Sequence, residues 1–305
     1  MIGDRRKVTG RRSVRAFTNN LMTTTTLALD EMDLGQPAAG RRRLNGAGVR
    51  RLLVRALALA AFIGFWQWAS TARLHLLVNF LHVPAPTAVW EAAVDFFQSP
   101  KAPRHVWSSV VRVFAGFGIA ALLAIPLGLL IGRYRWVENT VFTPLEILRP
   151  IPGVAWIPLA ILMFATSEQS MIFICFLGAF FPILLSTIHG VESLDKRLVY
   201  AAQTLGAGRW SILHEVVLPG ALPSIVNGLT IGMGTCWLLV VTAEMVAGQF
   251  GIGYFTWESY TLQNYPEIVV GMLIIGVLGM LSSVLVRFLG ERLMPWQRFS
   301  NQKSK

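Results

Sequence analysis

The stretch Tyr200-Ala201-Ala202-Gln203-Thr204-Leu205-Gly206, closed nine residues later by Val216-Val217-Leu218-Pro219, separates two long apolar runs. Leu194–Leu205 can form a helix with Lys196, Arg197 and Gln203 on a polar side. Gly206 and Gly208 interrupt it, because glycine adopts turns that other residues resist. Arg209–Val217 reads as a second short helix, and Pro219 with Pro223 marks the start of the next apolar run. A polar, Gly-broken insert between apolar runs makes a protruding elbow, which a partner's groove can grip and move as a rigid body. Without a partner it is only a solvated connector.

Composition places those apolar runs in a membrane. Of 305 residues, 54% are hydrophobic and only 14% charged, in long uncharged stretches that recur rather than alternate. The formal charge of +11 raises the question of nucleic acid. Residues 1–55 carry 12 Lys/Arg against 4 Asp/Glu, so most of the excess is a basic tail beside the first apolar run. Such a tail suits an anionic lipid surface, and nucleic acid is not expected as a partner. Residues 1–48 read as a disordered cytoplasmic tail; Arg11-Arg12 faintly resembles a twin-arginine signal but no apolar core follows it, so no cleaved leader is expected. Cys175 and Cys236 sit among apolar neighbours and read as core packing.

Crossing the hydrocarbon takes about 20 predominantly apolar residues. Six runs qualify: 52–70, 110–131, 144–166, 170–189, 222–246 and 268–289. The third contains Pro150, Pro152 and Pro158, which predicts a kinked or discontinuous helix. Gly128-x-x-x-Gly132 and Gly228-x-x-x-Gly232 permit close backbone approach, either at a dimer seam or as the small-residue content common to transmembrane helices.

Basic clusters precede run one and follow runs two, four and six, while 167–169 and 247–266 contain no Lys or Arg. By the positive-inside rule both termini and the 190–221 insert face the cytoplasm. The 71–106 loop, with Arg73, Lys101 and Arg104, is the weakest point of that assignment.

The insert resembles the "EAA" segment of ATP-binding-cassette importer permeases: Glu-Ala-Ala, three residues, Gly, nine residues, Ile-x-Leu-Pro. Ala201, Ala202, Gly206, Leu218 and Pro219 match at that spacing, whereas Tyr200 replaces the glutamate and Val216 the isoleucine. The Tyr200 departure removes any ion pair the glutamate would make but leaves the elbow. Val83-Pro-Ala-Pro-Thr-Ala-Val-Trp90, Leu148-Arg-Pro-Ile-Pro-Gly-Val-Ala-Trp-Ile-Pro-Leu159, Phe180-Phe-Pro-Ile-Leu184, Thr242-Ala-Glu-Met245 and Gly251-Ile-Gly-Tyr254 are similar to the nitrate, sulfonate and taurine subfamily. The likeness covers about 50–298.

The resemblance implies an all-α polytopic membrane protein with six transmembrane helices and the type I importer permease fold. It implies a permease domain at 49–298, a coupling segment at 190–221 and a cytoplasmic tail at 299–305. Two permease copies, two cytoplasmic ATP-binding subunits and an extracytoplasmic solute-binding protein are the implied assembly. Ala201, Ala202, Gly206, Ala207, Gly208, Arg209, Leu218 and Pro219 would couple to the ATPase. The chain has no G-x-x-x-x-G-K-[ST] phosphate loop, no nucleophile elbow and no H-E-x-x-H pattern, so ATP hydrolysis is expected in a separate subunit and neither cofactor nor catalytic residue is expected here.

Ionisable groups within spans are functional candidates. Glu244 can shape the outer mouth, or simply end a helix with partial solvation; as a lone carboxylate it would repel an anion. Arg149 can attract an anion through its fork of donors, snorkel to the interface, or pair with Glu146. Trp156, Asn227, Trp237 and Gln263 are further pathway candidates, although aromatic residues in spans more often pack. An ion-gradient carrier would need several intramembrane ionisable residues and inverted repeats. Neither is evident in the sequence. His75, His189 and His214 have no ligand spacing, so no metal is expected.

Overall fold

The computed structural model describes residues 46–72 and 82–295. Residues 1–45, 73–81 and 296–305 lie outside this range, and with them most of the two expected tails and His75. The chain divides into two units, Met1–Ala61 and Phe62–Lys305. What is described of the first is the N-terminal part of a single apolar helix, α1 (Gly46–Thr71).

The second unit is a helical bundle. Its elements are α2 (Pro86–Gln98), α3 (Ala102–Arg133), α4 (Arg135–Leu148), α5 (Gly153–Met163), α6 (Ser167–Glu192), α7 (Lys196–Thr204), α8 (Arg209–Ala247), α9 (Ile252–Thr261) and α10 (Tyr265–Leu293). Among the described residues there is no strand. Lipid offers the backbone no hydrogen-bond partners, so a spanning segment must satisfy its amides internally.

The centre of the bundle is α6, with α3 along one side and α8 along the other. Glycine makes this contact possible. Gly116 lies against Cys175, Gly128 against Thr187 and Gly132 against Val191, so closely that an added Cβ would collide. On the other side Gly228 meets Ser186, and Gly232 meets Ala179 and Ile183. Both Gly-x-x-x-Gly pairs therefore seat α6 within one chain rather than forming a dimer seam. Around these contacts Val113, Ala120, Ala124, Cys175, Ile183, Leu184, Met233 and Val240 form the buried core. Cys175 and Cys236 belong to it, with the Cys236 thiol 3.1 Å from the Cys175 carbonyl.

These contacts also fix the number of crossings. Residues 116, 128 and 132 pair with 175, 187 and 191, so α3 and α6 run parallel. The chain must then cross once between them, and only α4 and α5 lie there. Those two helices, bent by 86° at residues 149–152, are one broken span. With α1, α3, α6, α8 and α10 this makes six spans among the described residues. Pro150 and Pro152 account for the break, because proline removes an amide donor and disfavours helix in the residue before it.

Span five differs from its expected form. Arg209–Val217 is not a separate short helix: α8 runs continuously from Arg209 to Ala247. Pro219 and Pro223 sit inside it, and the turn before Pro219, Ile212–Val217, is widened to a π-helical form. A widened turn gives room for the proline ring and for the carbonyl left without its donor. Many large apolar side chains on α10, among them Met272, Leu273, Leu281 and Leu285, point outward. In water that would be costly; against acyl chains it is the expected state.

Candidate functional site

At the end of the bundle where α3 and α6 finish and α8 begins, α7 and the turn after it form the elbow. Asp195 accepts a hydrogen bond from the Arg197 amide at 2.9 Å and caps α7. The helix stops because Gly206 takes φ +81°, a left-handed conformation suited to glycine. The Gly206 amide donates to the Gln203 carbonyl and the Ala207 amide to Ala202, closing the C-terminal turn. Ala201, Gly206, Gly208 and Arg209 are exposed, and Ala202, Ala207, Leu218 and Pro219 half-buried. Of these, Ala202, Ala207 and Leu218 pack on Val191, Ile212, Val217 and Ala221, which roots the elbow in the bundle. Its outer surface is apolar for a water-facing turn: Leu205 is 88% exposed, Trp210 74% and Tyr200 61%. Trp210 stacks on His214 with ring centroids 5.8 Å apart.

Beside the break between α4 and α5 is a cavity of about 490 Å3 with Arg149, Ser186, His189, Glu192, Ser224 and Asn227 in its walls. Arg149 and Asn227, 78 positions apart in the sequence, thus line the same cavity. No ion pair forms between Arg149 and Glu146. The cavity combines one permanent cation with amide, hydroxyl and imidazole donors.

The opposite end of the bundle carries a buried charged cluster. Arg112 on α3 forks onto Glu168 at the start of α6, Nε donating to Oε2 at 2.7 Å and Nη2 to Oε1. Its Nη1 donates to Glu244 Oε1 at 2.7 Å and to the Phe250 carbonyl at 2.7 Å. Glu244 also accepts from the Ser109 hydroxyl at 2.8 Å and the Gly253 amide at 2.9 Å. Gly251, at φ +131°, lies against the Glu244 carboxylate where any side chain would collide. The Thr242–Met245 and Gly251–Tyr254 motifs are therefore two halves of one carboxylate seat. In α9, between spans, the half-buried Tyr254 phenol is pushed above its ordinary range by loss of solvent and by neighbouring Glu258.

Residues 124–299 match the family described as binding-protein-dependent transport system inner membrane component, which is more than half of the chain. The chain belongs to that family. A putative ABC transporter permease protein of Methanocaldococcus jannaschii is 44% identical over 191 residues, 62% of this chain and 72% of the relative. The nitrate import permease protein NrtB of Leptolyngbya laminosa is 30% identical over 86% of this chain and 98% of its own length. The taurine transport system permease protein TauC of Escherichia coli K12 is 32% identical over 78% of this chain and 87% of its own length. Among solved structures, a chain of the inward-facing MetNI methionine ABC transporter aligns with TM-score 0.51 and 25% identity over 63% of this chain and 94% of its own.

The permease is thus a multi-pass membrane transport component of an ABC importer, and its family works with ATP-binding subunits and a substrate-binding protein. Among its candidate pathway residues Arg149 and Asn227 share a cavity. Trp237 is 4% exposed, with its indole N–H donating to Ser282 at 2.8 Å, and is a packing residue. Trp156 packs half-buried beside Ile157 and Leu239. Gln263 is exposed in the turn before α10, at φ +60°. Glu244 is neither alone nor partly solvated: it is fully buried and ion-paired. Arg112 was not among the sequence candidates, because an isolated arginine in an apolar run carries no mark of the carboxylate it pairs with. The available signal was its position, a single arginine within the 110–131 run.

Proposed function

We propose that this permease moves a small oxyanion of the nitrate, sulfonate or taurine kind inward by alternating access, powered by two separate ATPase subunits. The named relatives NrtB and TauC support the cargo class, since each is matched over most of its length. In this reading the permease pairs with a second copy and receives cargo from an extracytoplasmic binding protein. Both termini and the 190–221 segment face the cytoplasm, with tails at 1–48 and 299–305 flanking the 49–298 permease domain. The basic residues Arg133, Arg135, Lys196, Arg197 and Arg209 at one end of the bundle support that orientation.

The observation that carries the reading is the elbow. Leu205 and Trp210 expose large apolar surface on a water-facing turn, which an isolated connector has no reason to do. Ala201, Ala202, Gly206, Ala207, Gly208, Arg209, Leu218 and Pro219 form its frame. Because α8 is continuous from Arg209 into the bundle, a push at the elbow rotates or translates an entire span. Arg149 and Asn227 line the way for the anion, donating hydrogen bonds while the nearby Glu192 carboxylate keeps retention short.

The test is co-purification of the ATPase and solute uptake in Gly206→Val and Arg209→Ala variants. Loss of both with the permease still folded is expected. Unchanged association and uptake would refute the coupling role.

A further inference from the structure

A second cavity, of about 530 Å3, opens at the basic end of the bundle, between the end of α3, the start of α4, the end of α6, and α7. Arg133, Arg135 and Lys196 line it, with the Gln203 amide and the Tyr200 side chain adding neutral donors. Glu192 is the single carboxylate among these lining residues, and it lies 4.0 Å from His189. Among the described residues none of the three cations has an ion-pair partner. The cavity therefore holds an uncompensated positive charge.

Two features distinguish it from an ordinary solvated basic face. Cations alternate with aromatic rings along Arg133-Tyr134-Arg135-Trp136, and Trp136 is 75% exposed. Exposed Trp and Tyr beside basic residues at the end of a span mark the headgroup level of a bilayer. The second feature is Tyr200. The importer pattern carries glutamate at that position, and a carboxylate there would offset one of the three cations. This chain has a phenol instead, which leaves all three cations available to an anionic ligand.

We propose that the cavity binds the phosphate of an anionic lipid headgroup drawn from the adjoining leaflet. Guanidinium groups grip phosphate through paired donors, the lysine adds a point charge, and the rings of Tyr134 and Trp136 rest at the acyl boundary. The lipid then braces α7 against the ends of α3 and α6, directly behind the elbow. The inference rests on the cytoplasmic placement of that elbow. A free phosphate offers the same charge but gains nothing from aromatic rings at a membrane border, which favours the lipid.

The whole importer, with its partner subunits, would be placed in nanodiscs of phosphatidylglycerol mixed with phosphatidylcholine, and retained lipid read by native mass spectrometry. Preferential retention of phosphatidylglycerol is expected. Arg135→Gln or Lys196→Gln should weaken it about five-fold each, and all three cations together on the order of a hundred-fold. Tyr200→Glu should weaken it comparably while keeping every cation, so that topology and folding are preserved. Retention unchanged in Tyr200→Glu would overturn the proposal, as would displacement of the lipid by millimolar inorganic phosphate. Thiol labelling of a Tyr200→Cys variant separates the two readings. Labelling only from outside overturns the orientation and this site together; labelling from inside with no lipid preference overturns this site alone.

Discussion

Arg112 and Glu244 meet at 2.7 Å although 132 residues separate them, and both side chains are withdrawn from solvent. The pair ties span two to the end of span five and, through Gly253 and Phe250, to the turn beyond it. Breaking a buried pair leaves an uncompensated charge, whereas an exposed pair contributes little because water screens it. Glu168, on the other side of the same guanidinium, is 61% exposed.

Glu244→Gln should therefore destabilise the folded permease by about 3 kcal/mol, the low end of the range because Glu168 still faces Arg112. Glu168→Gln should cost no more than about 1 kcal/mol. Thermal unfolding in detergent measures both, and equal shifts would disprove the ranking. Replacing Arg112 and Glu244 together by methionine should recover most of the loss, since an apolar pair of similar volume avoids desolvation.

Gly251→Ala should destabilise by about 1–3 kcal/mol from backbone strain at φ +131°, with a further cost from collision with the Glu244 carboxylate. Combining it with Glu244→Ala should cost less than the sum of the two single changes, because the colliding group is gone. Strict additivity would show that the contact is not made.

Gly228→Val should impair folding of the single chain, because the new side chain meets Ser186 on α6. Gly276→Ala, with nothing within 4 Å, should be tolerated. The readout is the yield of folded permease in detergent alongside its dimer fraction. A Gly228 variant that folds normally but no longer dimerises would mean the seam lies between copies after all.

Leu205→Ala with Trp210→Ala should abolish ATPase co-purification and uptake while leaving the unfolding temperature within a degree or two, since both side chains are exposed. A large fall in thermal stability would instead assign them to the permease's own packing.

Most of the fold was legible without coordinates. The five unbroken spans announce themselves as apolar runs, each longer in the structure than in the sequence reading because helices extend past the apolar region into capped or charged ends. Span two, read as 110–131, begins at Ala102. Its first two turns follow Lys101 and hold Arg104 and His105, so they carry no hydropathy signal. The elbow was legible from Gly206, but the continuity of α8 was not, because Pro219 reads locally as a helix start, whereas the widened turn at Ile212–Val217 carries the helix through it.

The sequence by itself determined what is local: six apolar spans, the proline break in the third, the glycine turn after residue 205 and the excess of cations around it. Those follow from transfer free energy and backbone stereochemistry, which act over a few residues. Only the tertiary structure decided which glycines face which neighbours, that α3 and α6 run parallel, that Glu244 is held by Arg112, and that Arg149 and Asn227 line one cavity. Each of these joins positions distant along the chain, and no local preference encodes which partner a buried charge or a bare backbone will find.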